Sequence, residues 1–183
     1  MNNTRLFVPF AEGFEEMEAM TIVDVLRRAG INVDMVGMMG TMVTGSHGIR
    51  VTMDKKLIEV RADDYNGLVI PGGNPGCINL GRSSAFLDLV KSMYNQGKLV
   101  AAISNAPSLL AKIGILENKR ATIYPGMEKE LPHPRDQKVV TDGKVITSQS
   151  PGTAIEFALK IAEVLVGKDV AASIRRSIAV SEV

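Results

Sequence analysis

Short apolar runs that alternate with longer helical segments are the feature that most restricts the fold of this chain. Each run is rich in valine, isoleucine or leucine and has the length of a buried strand. The runs cover residues 6–10, 31–37, 68–70 and 99–103. Helical periodicity covers residues 15–29, 84–95, 107–113 and 150–166. Strands and helices in this order predict an α/β fold, with a mostly parallel sheet covered on both faces.

Weaker signals predict further elements. Strand candidates are 49–53, 119–123, 138–141 and 144–147, and a last helix candidate is 169–176. The Asp-Gly pair at 142–143 predicts a tight turn between two of these strands. Pro9 has no N–H to donate to a neighbouring strand, so the first strand is expected to end or bulge there. The inward face of the first helix is assigned to Met17, Met20 and Val23, with Ile22 and Leu26 as further candidates.

Length and composition predict one domain over residues 1–183, because 45% hydrophobic residues suffice for a sizeable core. The 21 basic and 20 acidic side chains nearly cancel, and no block of like charge stands out. This balance predicts no nucleic-acid or membrane-surface partner. No apolar run approaches the ~18 residues of a membrane span, and the start of the chain lacks a secretory h-region. With a single cysteine, a reducing cytoplasm is expected.

The apolar run 99–103 ends at Ser104 and leads directly into the helical segment near Pro107. A strand that joins a helix through one small polar residue has the layout of a nucleophile elbow. Such a turn lifts one side chain above the carboxyl edge of the sheet and beside free helix N–H groups. The alternative is an ordinary strand-to-helix turn, in which Ser104 or Asn105 caps the helix.

Three loops follow strands whose carboxyl ends meet at one edge of a parallel sheet, where such folds bind ligands. The loops are 11–18, the glycine-rich 71–77 and the elbow 104–107. The first loop and helix offer Glu15, Glu16 and Glu18. If the loops converge, one of these carboxylates, the amides near Gly72 and Gly73, and Ser104 share one pocket.

Several segments, in order and at matching spacing, carry a resemblance to a known family. They are EEME at 15–18, VDVLRRAG at 23–30, VIPGGN at 69–74, VAAI at 100–103, ITS at 146–148, PGT at 151–153 and EFAL at 156–159. Over nearly its whole length the chain resembles the DJ-1/ThiJ/PfpI superfamily, and its small DJ-1-like branch in particular. The resemblance implies a flavodoxin-like three-layer sandwich with a class I glutamine amidotransferase-like elbow. It also implies a homodimer packed partly through the first helix.

The resemblance also implies roles for individual residues. In that superfamily the elbow residue is a reactive cysteine, held near a carboxylic acid of the first helix. Glu18 matches the acid, and Ser104 stands at the elbow in place of the cysteine. Gly72 and Gly73 match the oxyanion-binding loop, with Asn105 beside them. Ser104 and Glu18 are therefore the candidate catalytic pair, and Gly72, Gly73 and Asn105 are candidate substrate-binding residues.

The remaining chemical groups have two interpretations each. His47 lies in a segment that matches one near the family site, so it is a candidate substrate-binding residue or else a surface side chain. Cys77 is either activated at the start of a helix or a small buried hydrophobe. Together with His133 these residues lack metal-ligand spacing, and no metal or cofactor is expected. Tyr124 replaces a histidine of the animal members, and Asn105 replaces the base of PfpI-type members.

Three functions remain open, because an alcohol is a poor nucleophile until a base takes its proton. The first is a family protein with weak or no cysteine-type catalysis that binds a small carbonyl compound, a carboxylate or a protein partner. The second is a glutathione-independent glyoxalase or deglycase, converting methylglyoxal to lactate, in a natural or engineered form with Ser104 in place of the nucleophile. The third is a serine enzyme in which Glu18 is the base. Redox sensing at position 104 is excluded, since serine cannot form sulfenic acid.

Overall fold

The computed structural model describes residues 3–181. Its strands are β1 (Arg5–Phe10), β2 (Asn32–Gly37), β3 (Met42–Thr44), β4 (Arg50–Thr52), β5 (Lys55–Lys56), β6 (Gly67–Ile70), β7 (Leu99–Ile103), β8 (Val139–Asp142) and β9 (Val145–Ser148). Its α-helices are α1 (Glu16–Arg28), α2 (Gly76–Gly81), α3 (Ser84–Asn95), α4 (Pro107–Lys112), α5 (Ala154–Val166) and α6 (Lys168–Ser177). Within this range no helix is long and apolar enough to cross a membrane.

The main sheet has seven strands in the order β5-β2-β1-β6-β7-β9-β8. All its pairings are parallel except that of β8 with β9. Alternate side chains of the central strands enter two separate cores, one with α1, α5 and α6 and the other with α2, α3 and α4. The predicted three-layer α/β sandwich of flavodoxin-like type is therefore confirmed.

The first strand does not end at Pro9. It continues to Phe10, because Pro9 is in register with Val36 of β2, whereas the pairing with β6 covers only Leu6 and Phe7. The missing N–H of proline therefore interrupts no pairing with β6.

The inward face of α1 also differs from the prediction, since the side chain of Met17 is 62% exposed.

One predicted strand forms outside the main sheet, and another predicted strand is absent. Residues 50–52 pair with 42–44 in a separate antiparallel hairpin. Residues 119–123 form no strand and make only an isolated bridge at Ala121. Their apolar side chains are buried all the same, and Thr122 N–H donates to Thr147 Oγ1 at 2.9 Å. Burial, rather than strand pairing, explains the apolar character of this segment.

The order of the strands locates the site. From β1 the chain passes outward to β2 on one side of the sheet and later returns on the other side to β6, so strand order reverses between β1 and β6. Ligand sites of open parallel sheets lie at such a switch point, at the carboxyl ends of the strands. The loops that follow β1, β6 and β7 are the three that the sequence singled out.

Candidate active site

Ser104 connects β7 to α4 with a backbone that non-glycine residues rarely adopt. Its φ is +63°, in the left-handed region, which costs about 1–2 kcal/mol for an L residue. Two neighbours hold it there: its N–H donates to Ser148 O at 3.0 Å, and its carbonyl accepts from Tyr124 N–H at 2.9 Å. The N-cap of α4 is Ala106, without a side-chain hydrogen bond. The alternative in which Ser104 or Asn105 caps the helix is therefore wrong.

Backbone and side-chain hydrogen bonds join the three loops. Glu15 N–H donates to Gly72 O at 3.0 Å, which ties the start of α1 to the glycine-rich loop. Asn105 Nδ2 donates to Gly73 O at 3.2 Å, which ties that loop to the elbow. The convergence that the sequence could only suggest is therefore present in the structure.

Gly72 stands where these loops meet, and the space beside it excludes a side chain. A Cβ atom there would lie 2.7 Å from Asn105 Oδ1, 2.7 Å from Ser104 Cβ and 2.8 Å from Glu18 Oε2. Gly73 has a φ of +115°, and a Cβ on it would collide with the backbone of the β1–α1 loop. Gly72 therefore lets the backbone of its loop approach the elbow closely, and Gly73 lets it approach the β1–α1 loop.

Glu18 is fully buried beside the elbow. Its Oε2 accepts from Gly72 N–H at 2.7 Å, whereas its Oε1 has no hydrogen-bond partner among the described residues. Burial raises the pKa of Glu18 to about 7, and the charge of Glu15 adds to the rise, while the Gly72 N–H and the nearby Ser104 hydroxyl oppose it. Near neutral pH a large share of Glu18 is therefore a neutral carboxylic acid.

The amides of the site are not equivalent. Gly72 N–H is occupied by Glu18, so it is not free for an oxyanion as the resemblance implied. Within residues 3–181 the amides of Gly73 and Asn105 have no protein acceptor. Asn105 Oδ1 is buried there without a donor. The described part of the site therefore offers two free backbone donors and two unpartnered side-chain oxygens, Asn105 Oδ1 and Glu18 Oε1, beside the elbow serine, which is 7% exposed.

His47 and Glu16 form a separate structural pair. Glu16 accepts from His47 N–H at 2.7 Å, and its other oxygen lies 2.8 Å from His47 Nδ1. Burial alone would raise the pKa of Glu16, but these bonds from His47 and one from Ser46 lower it to about 2. The His47 side chain is 72% exposed, and its pKa is raised by Glu16. The structure thus places His47 on Glu16, where it holds a surface turn against α1, rather than on Ser104.

Cys77 lies in the first turn of α2 and is buried. Its Sγ lies 3.6 Å from Asn105 O, and burial raises the pKa of the thiol to about 11. The thiol is therefore neutral near pH 7, which favours the interpretation of Cys77 as a small buried hydrophobe. His133 contacts Glu117 O at 2.9 Å in another loop. Cys77, His47 and His133 are not brought together.

Comparisons with known proteins agree with this architecture. The model of the DJ-1/PfpI family matches residues 4–164. Protein dj-1beta of Drosophila melanogaster is 45% identical over 167 residues, which are 88% of this chain and 89% of that protein. The Parkinson disease protein 7 homolog of Danio rerio is 37% identical over 182 residues, which are 96% of each chain.

A solved structure of a related protein has the same fold. The structure of oxidized Toxoplasma gondii DJ-1 superposes with a TM-score of 0.95 at 36% identity, covering 98% of this chain and all of that one. Sequence similarity, strand order and an elbow at the expected place thus coincide over nearly the whole length. The chain belongs to the DJ-1/PfpI family.

Proposed function

We propose that this protein binds a small carbonyl compound at the elbow and converts it slowly or not at all. The observation that carries the proposal is the pair of amides on Gly73 and Asn105, which have no protein acceptor and lie beside Ser104. Two free N–H donors on adjoining loops suit a carbonyl oxygen, as such donors do in oxyanion holes. The resemblance to a family with a carbonyl-converting activity supports the same ligand class.

The protonation state of Glu18 favours a neutral carbonyl ligand. With a pKa of about 7, Glu18 is about half protonated at pH 7. The protonated acid can donate from Oε1, which has no partner in the described structure. A carbonyl oxygen accepts such a bond at no charge cost, whereas a ligand carboxylate would repel the ionised half of Glu18.

Weak catalysis follows from the chemistry of serine. A hydroxyl needs a base within hydrogen-bond reach before it attacks a carbonyl. His47 is engaged with Glu16, and His133 with Glu117 O. Glu18 is the only other candidate base at the elbow, and although the Ser104 hydroxyl lies close enough to lower its pKa, a carboxylate is a weak base for an alcohol.

One observation favours a second function, a serine enzyme with Glu18 as general base. A carboxylate with a pKa of about 7 is a far better base than an exposed one, because it still ionises near neutral pH. Covalent labelling of Ser104 by a serine-directed fluorophosphonate distinguishes this function from binding alone. Our proposal expects no label at Ser104.

The proposal is tested with two ligands that differ in one group. Hydroxyacetone carries a carbonyl, and propane-1,2-diol has a hydroxyl in its place. We expect hydroxyacetone to shift the amide NMR signals of Gly73 and Asn105 with a dissociation constant of about 1 mM, as its few heavy atoms allow. The diol should shift neither signal. Equal shifts with both ligands, or none with hydroxyacetone, would overturn the proposal.

A homodimer, which the resemblance implies, and a cytoplasmic location, which the single cysteine predicts, remain proposals. A homodimer packed through α1 would cover the side chain of Met17, which is 62% exposed. A cytoplasmic location rests on the single cysteine, whose thiol is buried and unpaired.

A further inference from the structure

A second concave site lies at the carboxyl ends of β1 and β2, and β6 separates these strands from β7, which leads into the elbow. The site is an open cleft with a volume of about 560 Å³, which is within the range of small-molecule sites. Its walls come from the residues that follow these two strands and from the junction between α2 and α3. Neither Ser104 nor Glu18 lines it, so it is separate from the candidate active site.

Methionines form much of its apolar wall. Met38, Met39 and Met42 all line the cavity, and Met39 and Met42 are 95% and 59% exposed. A ligand that covers exposed apolar surface gains about 25 cal/mol of binding free energy for each Å² that it removes from water. The flexible thioether chain of methionine also adapts to ligands of different shape. This wall therefore suits an acyl chain or an aromatic ring.

The polar groups of the cavity differ in whether they are already engaged. Asn79 Nδ2 donates to Glu12 O at 2.9 Å, and the Glu12 carboxylate accepts from Thr44 N–H at 3.1 Å. These bonds hold the wall together. Arg82 is the only lysine or arginine on the lining, and in the described part of the chain its guanidinium has no ion pair or hydrogen bond. A free guanidinium is suited to a carboxylate, which it can bind through two parallel bonds.

We propose that this cavity binds a small apolar carboxylate, with its carboxylate on Arg82 and its apolar part against the three methionines. The elbow shares neither this cavity nor its exposed apolar wall nor Arg82. This proposal is therefore independent of the function proposed for Ser104.

Octanoate and 1-octanol test this proposal, because they share an acyl chain and differ in charge. By calorimetry, octanoate should bind the protein and lose about tenfold in affinity in the Arg82→Gln variant, since a hydrogen-bonded charge contact is removed. Arg61→Gln, which removes an exposed arginine outside the cavity, should leave octanoate binding unchanged. Octanol should bind all three proteins equally.

The apolar half of the site has its own readout. In ¹³C-methyl spectra, octanoate should shift the signals of Met39 and Met42, which line the cavity. Met39→Gln should weaken octanoate and octanol alike, and it should not unfold the protein because Met39 is exposed. The proposal is wrong if octanoate shows no saturable binding, if Arg82→Gln binds it as well as Arg61→Gln does, or if these methyl signals do not move.

Discussion

Gly72→Ala is expected to lower the free energy of unfolding by about 3 kcal/mol, the range of a clash inside a packed region. The added Cβ would lie within 2.8 Å of atoms of Ser104, Asn105 and Glu18, so the elbow and the first helix must separate to admit it. Urea unfolding followed by circular dichroism measures the change. The same variant should also lose the hydroxyacetone shift at Asn105.

Gly40→Ala is the matched control for this substitution. Its Cβ would meet no atom within 4 Å, and its φ is not in the left-handed region. It should leave stability unchanged or raise it by up to about 1 kcal/mol, since alanine restricts the unfolded chain. Equal destabilisation by the two variants would show that Gly72 is not a point of close approach.

Glu18→Gln is expected to make the protein more stable above neutral pH. The pKa of Glu18 rises from 4.5 to about 7 on folding, so the folded protein holds a proton that the unfolded chain releases. The stabilisation that comes from this bound proton is fully present below about pH 4.5 and is lost once the pH has risen through about 7. The loss amounts to about 3 kcal/mol of unfolding free energy. Glutamine keeps the shape and the acceptor for Gly72 N–H but has no charge to bury.

The measurement compares unfolding free energies at pH 5 and pH 8. Between these values wild type should lose stability relative to Glu18→Gln, and at pH 8 the variant should be the more stable protein. Glu117→Gln, on an exposed side chain, should follow the wild-type curve. If the profiles of wild type and Glu18→Gln run parallel, Glu18 is not a buried acid that resists ionisation. Functional residues often lower the stability of the folded protein, so a substitution that stabilises it at this position is expected for a functional site.

The fold could be predicted because its signals are local. The strand at 99–103 and the helix at 84–95 have the predicted bounds, since an apolar run and an amphipathic period reflect burial directly. The hairpin strand at 42–44 was missed, because three residues in a stretch rich in glycine, serine and threonine carry no such signal. Residues 119–123 were wrongly predicted as a strand because burial without strand pairing looks the same in a sequence.

The candidate site could be located but not described in detail. Parallel strands bring their carboxyl ends to one edge, so the meeting of Glu18, Gly72 and Ser104 follows from topology. The contact of His47 with Glu16 joins residues that are 31 positions apart in the sequence. The hydrogen bond from Gly72 N–H to Glu18 joins residues that are 54 positions apart. The unpaired Arg82 likewise depends on which acidic side chains lie near it. No spacing pattern in one sequence encodes such choices.

The central claim is that the pocket of the family persists here without its nucleophile. Methylglyoxal consumption with lactate detection, run in parallel on this protein and on Ser104→Cys, tests it most directly. A cysteine is partly ionised near neutral pH and needs no strong base, so the variant should turn over at least about 100-fold faster than the serine protein. Efficient turnover by the serine protein itself, or none by either protein, would contradict the claim.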